Sequence, residues 1–265
     1  MASTLATISS SRIDRKFAQL SDDGRKALVC YITAGHPDPA TSLALLQSLQ
    51  ESGADVIEVG VPFSDPIADG PVIQESSQIA LSHGITLNRT LEMVSRAGLD
   101  VPVVLFTYLN PLMAAGDDVL TRARESGVDG ILLTDLPVGA DPRIEEWLGA
   151  SDLDFIRLVA PTTPSERMAE IGRNGSGFVY LISRLGVTGA STSLSGDLPQ
   201  TAARLRGATD LPICVGFGLS TPDQARAAAR FADGVVIGSA LVRAAGESLK
   251  NASGFVRSVR VSLDS

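Results

Sequence analysis

The sequence predicts a single α/β domain that folds as a (β/α)8 barrel, a closed parallel sheet of eight strands surrounded by helices. Eight short runs rich in β-branched residues alternate with amphipathic stretches along the 265-residue chain. These runs are continuously apolar, as expected where both faces of a parallel sheet are covered. No G-x-G-x-x-G turn follows the first run, which argues against a doubly wound dinucleotide-binding sheet.

The predicted elements follow in a regular order. The strands are expected at 27–33, 55–59, 101–107, 130–133, 155–159, 178–182, 211–215 and 234–237. Stretches such as "PATSLALLQSLQESG" and "TPDQARAAARFA" between them carry the start and stop signals of helices, a Ser, Thr or Asp before the helix and a Gly near its end. An extra helix is predicted before the first strand, at "SRIDRKFAQL". Residues 1–11 are predicted to be a flexible leader, and residues 12–265 the single barrel domain.

Composition limits the classes of partner and compartment. A net charge of −8 argues against nucleic acid and against anionic membranes, because both favour basic surfaces. No segment approaches the roughly 18 consecutive apolar residues of a membrane span. Cys30 and Cys214 lie in apolar strands without disulfide or C-x-x-C spacing, which is typical of a reducing compartment. The predicted location is the cytoplasm, or the plastid stroma if the source is a plant, although no clear transit peptide is present.

The stretch "VIEVGVPFSDPIADGP", residues 56–71, places a carboxylate inside an apolar strand. Burying Glu58 without a partner costs several kcal/mol or raises its pKa until it stays protonated. Glu58 is therefore either paired with an arginine from a neighbouring loop or a catalytic acid, and the strand-end position favours the acid. Asp69 follows on a proline-flanked loop and is predicted to be a second catalytic carboxylate. The alternatives for Asp69 are a solvated loop acid or a cap for the helix that begins near Val72.

Other candidates lie on the loops after later strands. Tyr108 and Tyr180 stand at or in strands 3 and 6, where each is either an active-site group or a core residue with a satisfied hydroxyl. Gly218, Gly238 and Ser239 follow strands 7 and 8, the usual phosphate site of a barrel. The loop "SRLGVTGASTSLSGDLP" after strand 6 is long and polar, which predicts a lid over the site.

Several chemistries are disfavoured by the residues that are missing. The three lysines, Lys16, Lys26 and Lys250, do not fall at the C-terminal end of a predicted strand, where a Schiff-base aldolase needs one. The two histidines, His36 and His83, lack a third ligand at useful spacing, so no metal site is expected. The remaining prediction is acid–base catalysis on a small phosphorylated molecule, without a metal or cofactor.

Four motifs follow one another along the chain: "VIEVGVPFSDPIADGP" with the following Ile73–Gln74, "YLISRLGVTGA", "VGFGLST" and "VVIGSALV". In order and in register, from about residue 12 to the C-terminal helix, they resemble the alpha subunit family of tryptophan synthase. The resemblance implies the alpha reaction of tryptophan biosynthesis, a retro-aldol cleavage of indole-3-glycerol phosphate to indole and glyceraldehyde 3-phosphate. It also implies an alpha2-beta2 assembly with a beta subunit that carries pyridoxal phosphate and receives the indole, with no cofactor in this chain. Ile67 and the prolines of the strand 2 loop are expected docking contacts.

The resemblance also assigns roles to residues. Glu58 matches the acid–base residue, Asp69 the partner of the indole nitrogen, and Tyr180 a supporting tyrosine of the site. Tyr31 matches a position where the family pattern implies an aromatic or apolar side chain against the indole ring. The closing loop is matched by Arg184, Thr188 and Gly189, and the phosphate cage by Gly189, Gly218, Gly238 and Ser239. The leader and the serine-rich stretch of loop 6 depart from the family pattern.

Two other functions stay open at this point. One is a different phosphate-binding barrel, an isomerase or synthase acting on a related indole or ribose phosphate, although such enzymes typically carry a strand-end lysine. The other is a binding or regulatory subunit that has kept only the phosphate cage. The presence of Glu58 and Asp69 together counts against it, because a binding module gains nothing from a buried acid.

Overall fold

A computed structural model describes residues 10–182, 197–216 and 218–265 of the chain. Within these residues, eight parallel strands close into a barrel in the order of the sequence, which confirms the predicted fold. The strands are β1 Ala27–Thr33, β2 Val56–Gly60, β3 Val103–Thr107, β4 Gly130–Leu133, β5 Asp154–Val159, β6 Val179–Ile182, β7 Ile213–Gly216 and β8 Gly234–Ile237. The division into a leader and one domain stays a prediction, because residues 1–9 lie outside the described part.

Helices surround the barrel, and in the described residues the connections after β2 and β3 contain two of them each. In the described residues they are α1 Arg12–Asp22, α2 Pro39–Glu51, α3 Pro71–Ser82, α4 Leu87–Ala97, α5 Leu109–Ala114, α6 Val119–Glu125, α7 Pro142–Gly149, α8 Ser165–Arg173, α9 Leu198–Arg206, α10 Pro222–Ala229, α11 Ser239–Glu247 and α12 Leu249–Leu263. No helix in the described ranges has both the length and the apolarity needed to cross a bilayer.

The N-terminal helix α1 closes one end of the barrel. Ser11 and Asp14 form a capping box, in which each side chain accepts a hydrogen bond from the backbone N–H of the other. Ile13 and Phe17 are buried in the cluster that fills the barrel interior, and Phe17 packs against Phe178 with ring centroids 5.6 Å apart. Side chains therefore fill the barrel interior at the end that α1 covers. Space for a substrate is left at the opposite end, where the strands finish.

Acidic residues lie at that closed end, where the strands begin. Asp129 accepts a hydrogen bond from the backbone N–H of Val103, at 2.9 Å, and pairs with Arg12 and Arg124. The same contact to the start of the preceding strand recurs at Asp55 with Leu28 and at Asp233 with Ile213. These acids hold adjacent strands in register, and the N-terminal face of a barrel is where residues serve stability.

Strand alternation decides which side chains reach the interior. In β1, Val29 and Tyr31 face the barrel interior, while Leu28 and Cys30 pack against the helices. Tyr31 is in register with Glu58 of β2, and Glu58 with Val104 of β3. Glu58 therefore faces the interior, two residues before Gly60 ends β2.

Candidate active site

Glu58 is fully buried, with no accessible surface. Neither oxygen of its carboxyl group has a hydrogen-bond partner among the described residues, and no described arginine or lysine forms an ion pair with it. Burial raises the pKa of Glu58 to about 8, because the charged form is poorly solvated there. Within the described part of the chain, the ion-pair alternative for this residue therefore has no support.

Tyr31 forms one wall beside Glu58. Its buried ring contacts Phe106 edge-on, with centroids 5.1 Å apart, and its hydroxyl lies 3.5 Å from Oγ1 of Thr33. A Cβ on Gly60 would lie 2.2 Å from this hydroxyl, so the glycine at the end of β2 is what admits the tyrosine. Burial raises the pKa of Tyr31 well above its ordinary value, which keeps the hydroxyl neutral.

Tyr180, on another side of the barrel, also lies against a glycine that ends the neighbouring strand. It is buried in β6, and a Cβ on Gly216 at the end of β7 would lie 2.2 Å from its hydroxyl. In both cases a tyrosine leans over the glycine that ends the next strand. Both tyrosines belong to the cluster that fills the barrel interior.

Asp69 lies on the loop after β2 and is partly buried. Its Oδ2 accepts a hydrogen bond from the Tyr108 hydroxyl, at 3.0 Å. Burial raises the pKa of Asp69 to about 6, and the hydrogen bond from Tyr108 acts in the opposite direction. The N-cap of α3 is Gly70, without a side-chain hydrogen bond, so Asp69 does not cap this helix.

The role of Tyr108 was open from the sequence, because a strand-end tyrosine is commonly a core residue. In the structure its ring is buried, and its hydroxyl both donates to Asp69 and accepts from the backbone N–H of Ala68, at 3.0 Å. The only sequence signal was its position at the C-terminal end of a strand next to β2. Its partner depends on the path of the β2 loop, which the sequence pattern does not specify.

Three of the predicted phosphate residues follow β7 and β8, which are neighbouring strands of the barrel. Gly218 adopts a φ of 81°, a conformation that favours glycine. Gly238 is the N-cap of α11, and Ser239 is the first residue of this helix and is exposed. The first N–H groups of a helix have no intrahelical acceptor, and the helix dipole favours an anion there.

The remaining predicted residues, Arg184, Thr188 and Gly189, lie outside the described residues, so the lid and its share of the phosphate cage stay predictions. The described residues contain no group of three or more His, Cys, Asp or Glu side chains placed to hold a metal ion.

The geometry brings two carboxyl groups with different pKa values to one end of the barrel. Near pH 7 Glu58 is mostly protonated, because its pKa is about 8, and Asp69 is mostly ionised, because its pKa is about 6. Two acids separated in this way can act as a proton donor and as a stabiliser of positive charge. The N-terminus of α11, which follows β8, lies on the same face of the barrel.

Comparison with known proteins identifies the family. The family model for the tryptophan synthase alpha chain matches residues 17–264. The tryptophan synthase alpha chain of Citrifermentans bemidjiense is 46% identical over 258 residues, which cover 94% of this chain and 97% of the relative. That of Gluconacetobacter diazotrophicus is 48% identical over 243 residues, covering 90% of this chain and 89% of the relative.

Solved structures agree with these relatives. The alpha subunit from Legionella pneumophila superposes with a TM-score of 0.87 at 35% identity, covering 97% of this chain and 99% of that one. A chain of Mycobacterium tuberculosis tryptophan synthase superposes with a TM-score of 0.89 at 36% identity, covering 96% of this chain and 98% of that one. The chain described here belongs to the tryptophan synthase alpha chain family.

Proposed function

We propose that the buried carboxyl group of Glu58 and the carboxylate of Asp69 together perform the reaction of this family, the retro-aldol cleavage of indole-3-glycerol phosphate to indole and glyceraldehyde 3-phosphate. The observation that carries this assignment is Glu58 itself, a fully buried acid without a hydrogen-bond partner among the described residues. The pKa of about 8 keeps a proton on Glu58 at neutral pH, where a general acid needs it.

The reaction begins with proton transfer from Glu58 to C3 of the indole ring. The resulting indolenine cation carries positive charge at the ring nitrogen, where the Asp69 carboxylate accepts the N–H hydrogen bond and stabilises the charge. The ionised Glu58 then takes the proton of the side-chain hydroxyl as the carbon–carbon bond breaks. The bonding electrons return to the indole ring, the hydroxyl carbon becomes the aldehyde, and Glu58 ends the cycle protonated.

The substrate supplies its own electron sink, which explains why no lysine is needed for a Schiff base. The phosphate is proposed to bind at Gly218, Gly238, Ser239 and the N-terminus of α11. Backbone N–H groups and the helix dipole hold an anion without a cation, which suits a chain with a net charge of −8. Tyr31 and Tyr180 are proposed to contact the indole and to support the two acids.

The docking of a beta subunit is proposed for the rim beside Asp69. Ile67, at the tip of the β2 loop, is 77% exposed, and Met113 of α5 on the neighbouring loop is 50% exposed. A cavity of about 310 Å³ between the same loops is lined in part by Phe63 and Pro111. Exposed apolar groups beside a cavity are typical of a protein interface.

The proposed assembly is alpha2-beta2, with pyridoxal phosphate in the beta subunit and none in this chain. A chain of Mycobacterium tuberculosis tryptophan synthase superposes on this one, which supports a tryptophan synthase complex. The bacterial origin of the curated relatives supports the predicted cytoplasmic location.

The reaction is tested by incubating the purified chain with indole-3-glycerol phosphate, alone and with a bacterial beta subunit, and measuring both products. Equal amounts of indole and glyceraldehyde 3-phosphate, released faster with the beta subunit, are expected. An inactive chain that still binds a non-cleavable indole alkyl phosphate would instead favour the alternative of a binding or regulatory subunit.

A further inference from the structure

The β2 loop is tied to the barrel wall by a single side chain. Among the described residues, the hydrogen bonds that join residues 62–70 to a different strand or loop are the two made by Tyr108. The other contacts of this stretch are local, such as the N–H of Asp69 on the carbonyl of Pro66 and the amide of Gln74 on the carbonyl of Asp69. The position of the Asp69 carboxylate therefore depends on Tyr108.

Tyr108 is well placed to serve as this anchor. It follows β3 directly and is the N-cap residue of α5, and its ring packs against Phe63 of the β2 loop with centroids 5.2 Å apart. The next N–H group, that of Leu109, donates to Oδ1 of Asp135 on the β4 loop, at 2.8 Å. A backbone held on both sides and a ring that is 3% exposed leave the hydroxyl little freedom to move.

The Tyr108 hydroxyl both donates and accepts a hydrogen bond. It donates to Oδ2 of Asp69 and accepts from the N–H of Ala68, so two consecutive residues of the loop are bound by one oxygen. Oδ1 of Asp69 has no hydrogen bond to any described residue. One carboxylate oxygen is thus held in place while the other is left for a ligand.

Given the role proposed above for Asp69, we propose that Tyr108 is a positioning residue for the cleavage reaction, which holds one oxygen of Asp69 so that the other meets the indole N–H. The hydrogen bond also stabilises the ionised form of Asp69 relative to the protonated form. Tyr31 is another titratable group within electrostatic reach of Asp69, and in the described residues only Tyr108 donates a hydrogen bond to the Asp69 carboxylate.

The first test is Tyr108→Phe, which removes the hydroxyl and keeps the ring. Because this substitution removes a hydrogen bond to a charged group, kcat/KM is expected to fall by about tenfold to a hundredfold. The acid limb of the pH profile is expected to move upward by about one pH unit, because the Asp69 carboxylate loses a donor. The matched control is Thr90→Val, which removes a buried hydroxyl of α4 that donates to the carbonyl of Thr86. Thr90→Val is expected to change neither kcat/KM nor the acid limb of the pH profile.

A double-mutant comparison separates positioning from a general loss of structure. In an Asp69→Asn background, Tyr108→Phe is expected to change kcat/KM by less than about threefold, because the carboxylate that it positions is gone. Replacing Tyr108 alone with 3-fluorotyrosine keeps the shape and makes the hydroxyl more acidic. The acid limb of the pH profile should then move to lower pH, opposite to its movement in Tyr108→Phe.

The inference is overturned if Tyr108→Phe keeps kcat/KM within about twofold of the unchanged chain with the same acid limb, or if its loss is as large in the Asp69→Asn background. If the unchanged chain itself releases no indole, the proposed function fails instead. The titration of Asp69, followed by carboxyl carbon NMR with and without the Tyr108 hydroxyl, then still tests the contact: an unchanged pKa would reject it.

Discussion

Replacement of Glu58 by glutamine should stabilise the folded chain at neutral and alkaline pH. The substitution keeps the size of the side chain and removes the ionisable group from a site with no described hydrogen-bond partner. The pKa of Glu58 is about 8 in the folded chain, against 4.5 for an ordinary glutamate, which represents the unfolded chain. Between these values the folded state binds one proton more than the unfolded state, so the stability of the unchanged chain falls as pH rises.

The size of the effect follows from this linkage. Each pH unit in the window between the two pKa values costs about 1.4 kcal/mol, and the slope declines near pH 8 as Glu58 begins to ionise in the folded state. From pH 6 to pH 8 the unchanged chain should therefore lose about 2 kcal/mol relative to Glu58→Gln. Below pH 4.5 both states carry the proton, and this difference between the variants disappears.

The assay is urea unfolding, followed by circular dichroism at pH 6, 7 and 8 and constant ionic strength, above the isoelectric point of about 4.8. The control is Glu92→Gln, which neutralises an exposed glutamate of α4. The control should follow the pH dependence of the unchanged chain. If Glu58→Gln does the same within about 0.5 kcal/mol, Glu58 does not carry a raised pKa, and the reasoning on the buried acid is refuted.

Three other predictions concern the site and its rim. Measured from pH 5 to 9, the pH dependence of kcat/KM should be bell-shaped. The acid limb is expected near pH 6, where Asp69 loses its charge, and the alkaline limb near pH 8, where Glu58 loses its proton. A flat profile across this range would contradict the roles assigned to the two carboxyl groups. Gly60→Ala should cost about 1–3 kcal/mol in urea unfolding and raise KM, because the added Cβ would lie 2.2 Å from the β1 tyrosine hydroxyl. The matched Gly149→Ala, with nothing within 4 Å of its Cβ, should stay within about 0.5 kcal/mol, and equal effects at both sites would reject the close contact. Ile67→Asp should weaken binding of a beta subunit by about tenfold or more in calorimetry while the isolated chain keeps its rate, whereas unchanged affinity would remove the β2 loop tip from the proposed interface.

Much of the fold was predictable because the barrel leaves strong local signals. Continuous apolar runs indicated all eight strands, yet the third and seventh begin two residues later than predicted, at Val103 and Ile213. Pro102 and Pro212 precede them and have no N–H to donate to a sheet, which apolar content alone does not register. The pair of helices that follows β2, α3 and α4, was not specified either.

The site was predictable where a residue violates its local pattern. Glu58 stands out as a charge within an apolar strand, and burial then dictates its chemistry. Tyr108 violates nothing, since a tyrosine at a strand end fits the core equally well, and its contact with Asp69 arises only when two loops are brought together. Pairings across separate loops are tertiary facts, and neither spacing nor composition encodes them locally.

Single-turnover indole release from indole-3-glycerol phosphate by Glu58→Gln tests the central claim most directly. With saturating substrate at pH 7, we expect a rate at least about a thousandfold lower than that of the unchanged chain, within the range of general acid–base catalysis. A non-cleavable indole alkyl phosphate should bind with affinity within about twofold, which shows an intact site. A variant that releases indole within about tenfold of the unchanged rate would show that another group moves the protons.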